Sequence, residues 1–227
     1  MTKLVVVVAT GTEVGKTHVS ESVLRSLRLS GRVCIGLKPV ESGVDGSSRT
    51  DWERLGQGAG RSVAPMLSFE EPVSPHLAAR DAGVEIKVRE VLDWVQRSRE
   101  DVTLVETAGG LLSPLSEQAT NLDLCSALRP RRVLLVARNR LGALHDVGVC
   151  MMALQQSGWA RGDVVVAFND VDAPEGRAMA TNAEELVRLG VVECMVAFPH
   201  APPTAEPTQK AGRAVVEALG LAATHEA

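Results

Sequence analysis

The run Ala9-Thr10-Gly11-Thr12-Glu13-Val14-Gly15-Lys16-Thr17 holds the residue types that grip a phosphate. Gly11 and Gly15 allow a tight backbone turn, successive N–H groups can face inward, and a helix starting near Lys16 adds the positive end of its dipole. Lys16 would reach the β- and γ-phosphates, and the Thr17 hydroxyl would take a coordination place on Mg2+. The strict pattern, Gly, four residues, then Gly-Lys-Ser/Thr, has Thr10 where its first glycine belongs. Without a phosphate the same residues are a turn followed by a helix start. A dinucleotide loop fits less well, since G-x-G-x-x-G is absent and Lys16 has no role in one.

Other chemistry-bearing side chains close apolar runs. Glu106 ends Val102 to Val105 and is followed by Thr107-Ala108-Gly109-Gly110, so it reads as a metal-holding carboxylate or as a cap on the next turn. Asp51, preceded by Thr50, is either a second metal carboxylate or part of a helix N-cap. Lys38, set by Pro39 at the end of another run, implies an anionic ligand or a side chain that snorkels to solvent. Asn169-Asp170 offers a donor and an acceptor to a purine edge, or simply a turn.

The elements that must carry these residues are legible as short apolar runs: Leu4 to Val8, Val33 to Leu37, Val102 to Val105, Val133 to Ala137, Val164 to Phe168 and a weaker Cys194 to Phe198. Continuous rather than alternating hydrophobicity predicts strands buried on both faces. Helical periods fall between them. Val19, Val23, Leu24 and Leu27 form one stripe ending before Gly31, and further helices are predicted over Val88 to Arg99, Leu144 to Ser157, Gly176 to Leu189 and Gln209 to Leu219. Strand alternating with helix predicts an α/β fold: one doubly wound, mainly parallel sheet with helices on both faces, whose ligands sit at the carboxyl ends of the strands. Glu41 to Arg49, rich in Gly and Ser, reads as a surface loop, and Pro72 to Pro75 and Pro199 to Pro203 as ordered turns. With 227 residues the default is a single domain over 1–227, frayed at 222–227.

Composition narrows the functions. A net charge of −4 argues against a nucleic-acid groove or a basic membrane face, and the absence of Tyr with three Phe and three Trp leaves little for base stacking. No apolar run approaches the roughly 20 residues of a membrane span, so a cytoplasmic location is expected. The four cysteines lie far apart in apolar segments and read as core residues rather than as disulfides or zinc ligands.

Taken together, Thr12-Glu13-Val14-Gly15-Lys16-Thr17, Lys38-Pro39-Val40-Glu41-Ser42-Gly43, Thr50-Asp51, Glu71-Pro72-Val73-Ser74-Pro75-His76, Glu106-Thr107-Ala108-Gly109-Gly110, Ser113-Pro114-Leu115, Leu141-Gly142 and Asn169-Asp170 resemble dethiobiotin synthetase, within the P-loop NTPases. The blocks follow the family's order from the first strand to about residue 200. The resemblance implies ATP- and Mg2+-dependent closure of a cyclic urea on 7,8-diaminononanoate with CO2, in biotin synthesis. It implies catalytic roles for Lys16, Lys38 and Thr12, and places Gly11 to His18 on the nucleotide (Gly11, Thr12, Glu13, Val14, Gly15, Lys16, Thr17, His18), with Asn169 and the stretch near Pro199 receiving adenine. Thr17, Asp51 and Glu106 would surround the metal, and Ser42 would hold substrate with Lys38. It further implies a homodimer in which the substrate's tail carboxylate meets backbone N–H groups of Gly142, Ala143, Leu144 and His145.

The chain departs from the family pattern at Ala9, Gly11, Thr107 and His145-Asp146. Asp146 would either repel the tail carboxylate or cap a helix. The competing readings are a partitioning-type ATPase switch, a different P-loop amide ligase, and a non-catalytic relative that binds nucleotide only. The first would need an additional lysine where Gly11 stands, and the last has no use for Lys38 and Ser42. His76 is expected to shape its loop rather than to transfer protons.

Overall fold

The computed structural model describes residues 3–46, 49–172 and 176–222. The expectation of fraying at 222–227 therefore lies outside the described residues except at Ala222, as does the middle of the Glu41 to Arg49 segment.

Six strands form one parallel sheet: β1 (Lys3–Ala9), β2 (Cys34–Leu37), β5 (Val102–Glu106), β6 (Arg132–Arg138), β7 (Val164–Asn169) and β8 (Cys194–Phe198), in the order β2-β5-β1-β6-β7-β8. The predicted apolar runs match these within a residue at each end. A second, two-stranded parallel sheet joins β3 (Val40–Ser42) to β4 (Leu67–Phe69).

Side-chain alternation divides the core. From β1, Leu4, Val6 and Val8 point into one layer with Val91, Val95, Leu124, Val147 and Leu186, while Val5, Val7 and Ala9 point into the other with Val19, Val23, Leu27 and Val215. Helices α4 (Val88–Arg97), α5 (Asn121–Leu128), α6 (Ala143–Gln156) and α7 (Gly176–Arg188) cover the first face. Helices α1 (Lys16–Leu29) and α8 (Glu206–Ala218) cover the second, with α2 (Asp51–Ala59) packed on α1. Both faces of every central strand are thus buried, which is why the runs are continuously apolar.

Two parts of the sequence reading are corrected. Glu41 and Ser42 belong to β3, not to a surface loop, and Glu41 is buried. Helix α2 bears out the N-cap alternative at Thr50-Asp51, whereas α5 and the short α3 (Pro75–Asp81) have no counterpart in the sequence reading. Helices α2 and α5 are started by capping boxes, Thr50 with Glu53 and Thr120 with Asp123, in which side chain and backbone satisfy each other's orphan groups. The cysteines behave as read: Cys34, Cys125 and Cys150 are buried and Cys194 is half-buried, all unbridged.

Gly36 in β2 shows how closely α1 and α2 are packed on the sheet. A Cβ there would lie 2.5 Å from Leu24 Cδ1 and 2.8 Å from Leu55 Cβ. Gly36→Ala is expected to destabilise the chain by about 1–3 kcal/mol through overpacking. The check is a lower urea midpoint at unchanged slope; an unmoved midpoint would mean the interface has room.

Candidate active site

Strand register sets the site. Leu37 of β2 lies opposite Val105 of β5, so the next residues, Lys38 and Glu106, emerge side by side at the carboxyl edge of the sheet. β1 pairs with β5 through Val7 and Glu106 and ends at Ala9, which delivers the glycine-containing loop to the same edge. The loop bends through positive φ at Glu13 (57°) and Gly15 (88°), the latter at the start of α1. Such a backbone concentrates N–H groups at a helix N-terminus, an anion cradle.

Four side chains converge beside it. Lys38 Nζ donates to Asp51 Oδ2 at 2.7 Å, to Glu106 Oε1 at 2.8 Å and to the Thr107 carbonyl at 3.3 Å. The Thr17 hydroxyl lies 2.7 Å from Asp51 Oδ1 and 2.8 Å from Glu106 Oε1. Burial alone would push the Lys38 ammonium down, but the Glu106 and Asp51 carboxylates outweigh it and hold Lys38 above the ordinary lysine value. Burial would likewise raise Asp51; Lys38 and the Thr17 hydroxyl outweigh that and keep its carboxyl low. Lys38 therefore does not snorkel, and Asp51 both follows the Thr50 cap and enters the site.

The group opens on a cavity of about 540 Å³ whose lining includes Thr12, Lys16, Lys38, Ser42, Asp51 and Ser74. A second cavity of about 480 Å³ lies between the phosphate loop and the start of α6, touching Thr10, Gly11, Leu112, His145 and Asp146. A third, about 380 Å³, is lined by His18, Asn169, Asp170, Pro199, His200 and Pro202. His18 also lines the first cavity and meets the Phe198 ring edge to face at 6.2 Å. Burial first, then Arg54 and His200, lower its pKa. Asn169 Nδ2 donates to the Val14 carbonyl at 3.0 Å, while its buried Oδ1 has no partner.

Other predicted residues find definite places. The Ser42 hydroxyl donates to the Val73 carbonyl at 2.7 Å. Gly142 starts α6 with φ of 95°; Ala143 N–H is already bonded to the Arg140 carbonyl, so Leu144 and His145 supply the first-turn donors. Asp146 pairs with Arg140 at 2.8 Å. Thr107 donates its hydroxyl to the Val7 carbonyl at 3.0 Å and is buried, and Ala9 belongs to the core under α1. Ser74 Oγ sits 2.9 Å from His76 Nδ1, consistent with a loop-shaping histidine. Two residues of the first cavity escaped sequence reading. Glu41 accepts from Asp51 N–H, and Arg54 pairs with Glu21 at 3.0 Å.

Glu106 Oε2 is buried without a hydrogen-bond partner, beside a hydroxyl and a second carboxylate. An orphaned carboxylate oxygen in an all-oxygen donor set fits Mg2+, which takes one or two carboxylates and completes its shell with phosphate and water. Among the described residues no three His, Cys, Asp or Glu side chains gather as a metal cage.

A phosphate loop at the first strand of a parallel sheet, with a lysine, a hydroxyl and two carboxylates at one edge, defines a P-loop α/β protein. A family model described as an AAA domain matches residues 3–208. Over 213 residues the chain is 33% identical to the ATP-dependent dethiobiotin synthetase BioD of Anaeromyxobacter dehalogenans strain 2CP-1, covering 91% of this chain and 94% of that one. With the protein of the same name from Caulobacter sp. strain K31 it shares 38% over 180 residues, 74% and 77% of the two chains. The chain belongs to the dethiobiotin synthetase family. Solved structures bear on the fold alone: a plasmid partition protein from Borrelia burgdorferi aligns at TM-score 0.59 and 9% identity, covering 95% and 96% of the chains. The MinD cell division protein of Aquifex aeolicus aligns at TM-score 0.55 and 13%, covering 96% and 95%.

Lys16 is 8% exposed, and its pKa is pushed down to about 8 by burial and then by Lys38, against the pull of Glu106 and Asp51. Below pH 8 it is charged in both folded and unfolded chains, and the folded form carries the full penalty; between 8 and 10.5 the unfolded chain holds more proton, so stability rises with pH. Lys16→Met is therefore expected to exceed the ligand-free parent at neutral pH by up to about 3 kcal/mol, the gain shrinking as pH climbs toward the unfolded lysine value. Urea unfolding across that range tests it. A difference that stays constant with pH would mean that the Lys16 charge is not strained.

Proposed function

We propose that this chain is an ATP-dependent dethiobiotin synthetase, closing the ureido ring of dethiobiotin on 7,8-diaminononanoate with CO2. The observation that carries the reading is Lys38: a fully buried, charged ammonium at a cavity that also holds Lys16 and Ser42. A protein that only bound nucleotide would gain nothing from burying a second lysine there.

The chemistry sets the demand. One amine adds to CO2 to give a carbamate, whose oxygen attacks the γ-phosphorus as ADP leaves. The second amine then attacks the carbonyl carbon of the resulting carbamic-phosphoric anhydride, expelling phosphate and losing a proton. On this reading the loop amides from Gly11 to His18 cradle the phosphates, and Lys16 and Thr12 oppose the charge that builds on the transferring group. Lys38 holds the carbamate oxygens, and the Ser42 hydroxyl, beside Val73, lines the diamine's place. Thr17, Asp51 and Glu106 would hold Mg2+, which supplies charge neutralisation to the phosphates.

The third cavity suits adenine. Asn169 ties the phosphate loop through Val14 and keeps a buried acceptor, Oδ1, for an exocyclic amino group, with Pro199 alongside. The second cavity suits the apolar tail of the diamine, its carboxylate meeting the first-turn donors of α6 after Gly142 and Ala143, at Leu144 and His145. Leu112 in the lining of that cavity, Leu141 just before α6 and Met152 within α6 are exposed, and these apolar side chains support a homodimer. The Arg140 pair offsets the Asp146 charge, so repulsion of the tail is not expected.

The complete mixture of diamine, bicarbonate, ATP and Mg2+ is expected to yield ADP and a product of dethiobiotin mass, with each omission abolishing the product. Lys38→Met should lower kcat about 100- to 1,000-fold while retaining ATP binding; unimpaired turnover would remove Lys38 from the carbamate. ADP release without ring closure would favour the ATPase-switch reading. Asp146→Asn should change the diamine KM by less than about twofold, as expected when a half-buried acid already paired with an exposed arginine is neutralised. A marked fall in KM would mean that the acid opposes the tail.

A further inference from the structure

Helix α2 brings Asp51 to the site with its first residue, where a helix end is ordinarily free to fray. Here all three early donors are taken. Thr50 Oγ1 accepts from Glu53 N–H at 3.4 Å, and the Glu41 carboxylate takes the other two: Oε1 from Asp51 N–H at 2.6 Å and Oε2 from Trp52 N–H at 3.4 Å. Glu41 is buried, 6% exposed, and stands in β3, three residues beyond Lys38, with β3 itself held by β4. One short segment therefore supplies the lysine that Asp51 neutralises and the acid that fixes Asp51's backbone.

A bystander would be an odd choice at this position. Burial above all, with the neighbouring Asp51 charge, raises the Glu41 carboxyl more than the Asp51 and Trp52 amides and Lys38 lower it, so an acid here carries a net electrostatic cost. The gain is in geometry. Asp51 must present Oδ1 to Thr17 and Oδ2 to Lys38 at once, both at 2.7 Å, and that double engagement tolerates little movement of its backbone.

We propose that Glu41 is a positioning residue, clamping the first turn of α2 through the Asp51 and Trp52 amides so that the Asp51 carboxylate faces Thr17 and Lys38. It acts through Asp51 and touches no reacting atom. The assignment rests on reading Asp51 as a site carboxylate, and its test separates the clamp from that reading.

Amide 15N–1H spectra of the ligand-free chain read the clamp directly. A charged acceptor at 2.6 Å holds the Asp51 amide proton downfield and slow to exchange. Glu41→Ala should move that resonance upfield and speed its exchange, whereas Glu41→Gln, which keeps an oxygen acceptor of the same reach, should recover part of both. In turnover, Glu41→Ala should raise the Mg2+ concentration for half-maximal rate by about 10- to 100-fold, with Glu41→Gln intermediate. Diamine KM should change by less than about twofold in either variant. If the parent makes no dethiobiotin, Mg2+-dependent ATP binding measured by calorimetry replaces turnover, with the same order of variants expected. An Asp51 resonance unmoved by Glu41→Ala overturns the clamp. A resonance that moves while the Mg2+ requirement stays fixed overturns its service to the site. Should Glu41→Ala fail to fold, Glu41→Gln decides, since loss of charge alone must shift the resonance and the Mg2+ requirement together.

Discussion

The ammonium of Lys38 is almost wholly buried and stays charged because two carboxylates from distant parts of the chain close on it, Asp51 at 2.7 Å and Glu106 at 2.8 Å. A buried charge without such partners would be expelled or neutralised, so three elements are obliged to meet at one point: the end of β2, the start of α2 and the end of β5. The register of β2 on β5 brings Lys38 beside Glu106, and Glu106 in turn lies level with Val7 of β1, two residues short of the phosphate loop. Two lysines and two carboxylates then share one edge of the sheet, so each ammonium has acids beside it before any ligand arrives.

The same edge is compressed. A Cβ on Gly15 would lie 2.1 Å from Asn169 Nδ2, and one on Gly110 would lie 3.2 Å from the Gly11 Cα. The first fixes glycine where φ is already positive; the second shows that the loop after Glu106 leans on the phosphate loop. Asn169 closes the arrangement by bonding the Val14 carbonyl, so the end of β7 and the phosphate loop are one packed unit. This is why departures at Ala9 and Thr107 are absorbed. The Ala9 methyl turns into the core beneath α1, and the Thr107 hydroxyl is spent on the Val7 carbonyl.

Sequence periodicity carried the large sheet because burial on both faces leaves a signature in every central strand, and it carried the long helices for the matching reason. The missed elements are those whose formation is decided elsewhere. β3 and β4 have three residues each, too few for any period, and exist by pairing with one another. Helix α5 left a trace that pattern reading passed over and α2 one that was read only as far as a possible cap: Thr120-x-x-Asp123 and Thr50-x-x-Glu53 are capping boxes written in the chain. Glu41 left none, because an acid among glycines and serines looks solvated until tertiary structure places the start of α2 over it. The candidate site was more legible than its supports, since Lys16, Thr17, Lys38, Asp51 and Glu106 sit where apolar runs stop, and strand ends are where such sheets bind ligands.

Likeness in fold to a plasmid partition protein at 9% identity, and to MinD at 13%, shows how little of this architecture specifies a reaction. A parallel sheet with a glycine-bent loop at its first strand will hold a phosphate whichever residues fill the neighbouring strand ends. What is particular to this chain is the segment from Lys38 to Ser42. It carries a buried cation, a buried acid and a hydroxyl within five residues, all on the wall of one cavity. A switch that responds to nucleotide alone needs none of the three. A ligase must hold a second anion next to the γ-phosphate, keep it dry, and keep its own carboxylates aimed while the charge moves. On the proposed reading Lys38 would meet the first demand, burial the second, and the short strand that places Glu41 against the Asp51 amide the third.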